Sequence, residues 1–128
     1  MSNIIIGLGA LSAFFAVSAG AFGAHALKQV LASDMLAVYQ TAVDYHFFHS
    51  AGLLLIGALD KFSPRRCHSI AAWTMLGGII IFSGSLYALS TTGIEWLGMI
   101  TPAGGLGFLA AWLMLALCYF LGSRDTGG

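Results

Sequence analysis

Residues 4–24 form a run of 21 without a single charged side chain. A helix of that length, rising about 1.5 Å per residue, reaches across the roughly 30 Å hydrocarbon core of a bilayer. Two more uncharged runs follow at residues 70–89 and 102–122, and a shorter apolar stretch, 43–59, carries Asp44, His46 and His49 in its first two turns. Backbone amides in lipid must be paired internally, so runs of this kind are helices. The expected fold is all-α, an integral membrane bundle of four transmembrane helices in one domain over residues 1–128. Composition agrees: 59% of residues are hydrophobic and 8% charged, against about 25% charged in an ordinary soluble domain. With 5 basic and 5 acidic residues the net charge is zero, which leaves no field to gather a nucleic-acid backbone.

A cleaved signal peptide competes for the first run, because Ala24-His25-Ala26 has the look of a cleavage site. No Lys or Arg precedes the run, however, and it exceeds a signal peptide's apolar core, so it is read as a retained span. Between the first two spans, Ser33-Asp34 reads as a helix start, with Met35, Leu36, Tyr39 and Val43 at helical spacing. That piece either lies along the interface as a short helix or extends the second span outward. The other connections, residues 60–69 with Pro64 as a breaker and 90–101 with Gly93 and Gly98, are short enough to join antiparallel neighbours. Thr101 can cap the fourth helix and Pro102 suits its first turn. Residues 123–128 are expected to fray. Lys61, Arg65 and Arg66 share a loop, Arg124 falls on the same side, and only Lys28 lies opposite. The positive-inside rule then puts both termini in the cytoplasm.

Lipid tails are as apolar as Leu, so helices in a bilayer associate by close packing, and small residues mark contact faces. Ser12, Ala16 and Gly20, with Gly23 beside them, make such a stripe in the first span; Gly77 and Gly84 in the third and Gly104, Gly105 and Gly107 in the fourth are read likewise. Trp96, Trp112 and Tyr119 suit interfacial anchoring, although Trp112 falls mid-span and is more simply a packing residue. Cys67 and Cys118 are expected as two free thiols, Cys118 packing as a small hydrophobe.

Four spans bring the polar residues His25, Asp44, His46, His49, Tyr87, Glu95 and Thr101 to the end opposite the basic loop. Counting from Val43, His49 lies roughly 9 Å inside the hydrocarbon. An ionisable group there is costly, about 2.5 to 3.5 kcal/mol for an acid at the centre, so it points into the bundle and finds partners. His46 and His49 are near neighbours on one helix, whereas Asp44 is roughly 140° from His49 and pairs poorly with it. The histidines are read first as ties to backbone carbonyls and to Tyr or Ser hydroxyls. The functional alternatives are a proton, metal or small-solute site, since imidazole titrates near neutral pH and ligates transition metals, or a bis-histidine haem. A nucleophile–base pair, phosphate loop or carboxylate pair is not evident. No cofactor or metal site is assigned.

Four ordered motifs then resemble a known group: Gly20-Ala21-Phe22-Gly23-Ala24-His25-Ala26-Leu27, Tyr45-His46-Phe47-Phe48-His49-Ser50, Phe82-Ser83-Gly84-Ser85-Leu86-Tyr87 and Ile100-Thr101-Pro102-Ala103-Gly104-Gly105. They are similar to the hallmarks of the YgdD-like family of small membrane proteins, domain of unknown function 423. The resemblance implies a four-span protein of bacterial inner membranes, with relatives in animals and no established biochemical role. Its pattern falls here on His25, His49, Ser83 to Tyr87 and Thr101 to Gly105. Together the readings favour a non-enzymatic membrane protein assisting a membrane-protein partner, a second copy or the bilayer itself. The alternatives are a proton-coupled or small-solute transporter using His49, and membrane metal or haem binding.

Overall fold

The computed structural model describes residues 1–122. Arg124 and the tail expected to fray lie outside the described residues. Four helices account for almost all of the chain: α1 (Ser2–His25), α2 (Ser33–Phe62), α3 (Arg66–Thr92) and α4 (Thr101–Gly122), with short 3-10 turns at Leu27–Gln29 and Glu95–Met99. Each of the four is long and apolar enough to cross a membrane, and no strand occurs among the described residues.

The segment after Ser33 extends the second span: α2 is one rod of 30 residues. The reason is visible in its buried stripe. Tyr39, Ala42, His46, His49, Leu53, Ile56 and Asp60 recur at three- and four-residue steps and keep one face turned inward along the whole rod. No proline interrupts it; Pro64 comes just after its end. At the far end of α3, Gly93 adopts the left-handed conformation, φ 71°, and its N–H closes on the Leu89 carbonyl, a helix stop that glycine makes without a Cβ penalty.

Consecutive helices run antiparallel, with α2 and α3 at the centre, α1 packed on α2 and α4 packed on α3. One end of the bundle, here the Pro64 end, gathers the starts of α1 and α3 with the ends of α2 and α4. The other, the Gly93 end, gathers the remaining termini. A core of Leu53, Ile56, Ala72, Met75, Ile79 and Leu115 fills the middle. The outer faces of α1 and α4 show Leu11, Phe14 and Phe22, and Leu109, Leu113 and Phe120, all exposed. Contiguous apolar surface of this extent belongs against lipid.

Small residues let these helices approach. Ser12 and Ala16 are buried and Gly20 and Gly23 meet α2 at Val43 and Tyr39. Gly107 lies over Gly78, and Gly105 is in ordinary contact with Phe82. The tightest approach to a neighbouring backbone is at Gly104, where an added Cβ would collide with Phe82. Gly77 and Gly84 are placed differently from the sequence expectation: a Cβ at either would meet nothing within 4 Å. On α3 the close approach belongs instead to Gly78, one residue and about 100° around the helix from Gly77, set against Phe108. Buried hydroxyls add polar ties between helices: Ser12 to Ser50 at 2.6 Å, Ser83 donating to the Ala42 carbonyl at 2.9 Å, and Ser85 to Thr101 at 2.6 Å. Thr101 thus turns its hydroxyl to α3.

Candidate functional site

At the Gly93 end the polar residues named by the sequence divide into separate contacts. His46 faces α1 and α3. Its Nδ1 lies 2.9 Å from the Tyr87 hydroxyl, the Tyr39 and Tyr87 rings pack at 5.3 Å, and the Tyr39 hydroxyl donates to the Ala19 carbonyl. Three helices are thereby tied through one imidazole and two phenols. Beside it runs a shallow groove of about 380 Å³, to which Ser12, Phe15, Ser83 and Tyr87 contribute.

His49, three residues on and about 60° around the helix, turns instead toward α4. Its Nδ1 is 2.7 Å from the Tyr45 carbonyl, so Nδ1 carries the proton and Nε2 is left as an acceptor. No partner for Nε2 occurs among the described residues. The ring lies flat on Phe108, 3.5 Å between centroids and 10° between planes, with Phe48 and Trp112 at its edges. It lines a second, larger groove of about 890 Å³ between α2, α3 and α4, walled by Tyr45, Phe48, Phe82, Phe108 and Trp112 and opening between Leu106 and Leu109. Leu106 and Leu109 are exposed to the lipid side.

The remaining candidates stand apart from these contacts. Asp44 is exposed at the mouth of the larger groove and accepts a bond from Gln40 at 2.9 Å. His25 ends α1 and Glu95 lies in the 3-10 turn before α4, both exposed. The arrangement offers apolar volume with one imidazole lone pair in it. His49 has no second histidine facing it across the groove among the described residues.

A second polar centre, which the sequence reading did not single out, occupies the Pro64 end. His68 is fully buried at 0% exposure. Its Nε2 is 3.2 Å from the Tyr119 hydroxyl, and its Nδ1, 3.5 Å from Asp60 Oδ1, has no hydrogen bond. Asp60, itself 5% exposed, accepts from the Arg65 backbone N–H at 3.3 Å. The Arg65 guanidinium bonds the Cys118 carbonyl and sits 5.0 Å over the Tyr119 ring. Cys67 and Cys118 are joined as a disulfide, which corrects the expectation of two free thiols. The cause is topological: antiparallel packing sets the start of α3 beside the end of α4 and brings Cα atoms 51 residues apart in sequence to 6.2 Å, within the usual bridging range. Tyr119 is accordingly more than an interfacial anchor.

Comparison with known proteins fits this architecture. A family model described as "Protein of unknown function (DUF423)" matches residues 19–105. The chain belongs to this family. The DUF423 protein is 45% identical over 116 residues to a UPF0382 membrane protein, YwdK, of Bacillus subtilis, covering 90% of this chain and 94% of that one. It is 43% identical over 118 residues to a UPF0382 membrane protein of Staphylococcus haemolyticus, covering 92% and 96%. No solved structure matches. The DUF423 chain is therefore a membrane protein of an uncharacterised family, as its four motifs implied.

Proposed function

We propose that this DUF423 protein is a non-enzymatic, multi-pass protein of the bacterial inner membrane that seats the apolar chain of a bilayer amphiphile in the groove beside His49. The observation carrying the reading is the groove itself: about 890 Å³, aromatic-walled, and continuous with the lipid-facing surface of α4 at Leu106 and Leu109. Bilayer chains are what such a surface meets, and rigid aromatic walls hold them at low entropic cost. His49 Nε2 offers an acceptor to a hydroxyl or amine on the occupant.

The sealed middle of the bundle favours binding over transport. Leu53, Ile56, Met75 and Ile79 are buried between the two polar ends, and an ion entering that layer finds no side-chain oxygen or nitrogen on these residues. Among the described residues, those lining the groove around His49 include Asp44 and Tyr45 but set no nucleophile–base pair beside it. The basic residues Lys61, Arg65 and Arg66 near the Pro64 end support an orientation with both termini in the cytoplasm.

Photoactivatable phosphatidylethanolamine in vesicles tests the groove. Label is expected on α4 near Leu106 and Leu109 in the wild type and strongly reduced in Leu106→Trp and Leu109→Trp, which fill the mouth from exposed positions. Equal labelling in all three rejects the groove as a lipid seat. Saturable solute or proton uptake by loaded vesicles, lost in His49→Ala, would establish transport in its place.

A further inference from the structure

The Pro64 end carries a second, unrelated site. One nitrogen of His68 and the sulfurs of Cys67 and Cys118 all lie within 4.8 Å of one another. Two cysteines brought together could be merely a structural bridge. A second observation points past that reading: His68 is 0% exposed, yet its Nδ1 has no hydrogen bond. An unsatisfied imidazole nitrogen buried at the end of a membrane bundle costs free energy that a ligand would recover. Nε2 lies 3.2 Å from the Tyr119 hydroxyl, and where it donates to that oxygen Nδ1 keeps its lone pair for a metal.

We propose that the reduced form of this chain binds one Zn2+ through Cys67, His68 and Cys118. Two thiolates and a neutral imidazole form a borderline-soft N/S set suited to tetrahedral zinc. Charge suits a divalent cation: two thiolates cancel it, and the Arg65 guanidinium, bonded to the Cys118 carbonyl, offsets the further charge that Asp60 brings to a low-dielectric site. Asp60 Oδ1, 3.5 Å from Nδ1 and held by the Arg65 backbone N–H, is the oxygen donor nearest to complete the set. The disulfide is then the metal-free state. A thiol reductant breaks the Sγ–Sγ bond by delivering two electrons and two protons, two reductant thiols becoming a disulfide; Zn2+ next displaces both protein thiol protons to solvent. The binding chemistry is independent of the lipid groove. That the thiols are reduced in the cell rests on the cytoplasmic placement of the Pro64 end proposed above.

Full-length protein is purified in detergent, reduced with dithiothreitol, desalted under nitrogen and titrated with Zn2+ alone, beside an unreduced sample. One zinc per chain by elemental analysis is expected after reduction and none in the disulfide form. Co2+ in place of Zn2+ gives sulfur-to-metal charge-transfer absorption. His68→Ala and Cys118→Ser abolish binding at micromolar metal, and Asp60→Asn weakens it about 10- to 100-fold. The comparison of the reduced and oxidised wild type needs no variant, so a misfolded mutant cannot decide the matter. A reduced chain with two titratable thiols that takes up no zinc overturns the site, as does binding undiminished in Cys118→Ser or His68→Ala. Lipid labelling at Leu106 is unaffected by any of these results.

Discussion

His49 and His68 are both almost fully buried, 4% and 0% exposed, yet their surroundings differ in kind. His49 spends its Nδ1 on a carbonyl of its own helix and turns the rest of its ring to stacked aromatics and an open groove. His68 stands among groups from three helices: Asp60 of α2, Cys67 of its own helix and Tyr119 of α4. The first has one nitrogen bonded within its own helix and the rest of its ring turned to a groove. The second is closed off and depends on the tertiary arrangement. The ends are also fastened differently, the Gly93 end by Gly104 against the backbone of Phe82 and the Pro64 end by a covalent link. A buried histidine in a membrane helix is therefore not one category; the origin of its partners separates a helix tie from a site.

The largest effect tests the fastening of the Gly93 end. Gly104→Leu puts a side chain against the Phe82 backbone, which cannot rotate away, and should cost about 3 kcal/mol or more. A lowered midpoint of denaturation in mixed detergent micelles measures it; a wild-type midpoint would mean that this end is not held by backbone approach. Next, breaking the disulfide in metal-free protein should cost about 2 kcal/mol, the low end of the usual range, because helices confined to a micelle or bilayer have less loop entropy to regain. Cys118→Ser should reproduce the loss and make the midpoint indifferent to dithiothreitol.

The comparison itself is sharpest in a matched pair. His68→Leu takes away the partner of the Tyr119 hydroxyl and sets an apolar side chain where the imidazole nitrogen lay 3.5 Å from the buried Asp60, and should cost about 1 to 3 kcal/mol. His49→Leu loses one bond to a carbonyl already inside the helix and should cost about 0.6 kcal/mol or less. Equal costs in the two variants would erase the distinction drawn here. An effect as small is expected at Ser83→Ala, which removes the bond to the Ala42 carbonyl for about 0.6 kcal/mol.

Much of the architecture was legible because membrane insertion is a local property: uncharged runs of helical length fix the number of spans whatever their neighbours do. The polar residues of the Gly93 end were legible for a related reason, since Tyr87, Thr101 and His46 stand out in apolar helices. Their pairing was less so. Which of two adjacent glycines meets a neighbour, Gly77 or Gly78, depends on helix rotation, which composition does not encode. The Pro64 end escaped notice because residues 60–69 read as a loop around Pro64, where Asp60 and His68 would be solvated. The helices instead run to Phe62 and resume at Arg66, turning both side chains inward. The bond between Cys67 and Cys118 is set by the return of α4 beside α3, a separation of 51 residues that no local pattern reports.

The unbroken length of α2 carries one more implication. Thirty residues make a rod of about 45 Å, and fitting it within about 30 Å of hydrocarbon by tilt alone would need about 48°, beyond the observed span of tilts. At least one turn of α2 must therefore stand clear of the acyl chains, as a rigid post to which the water phase has access from the side.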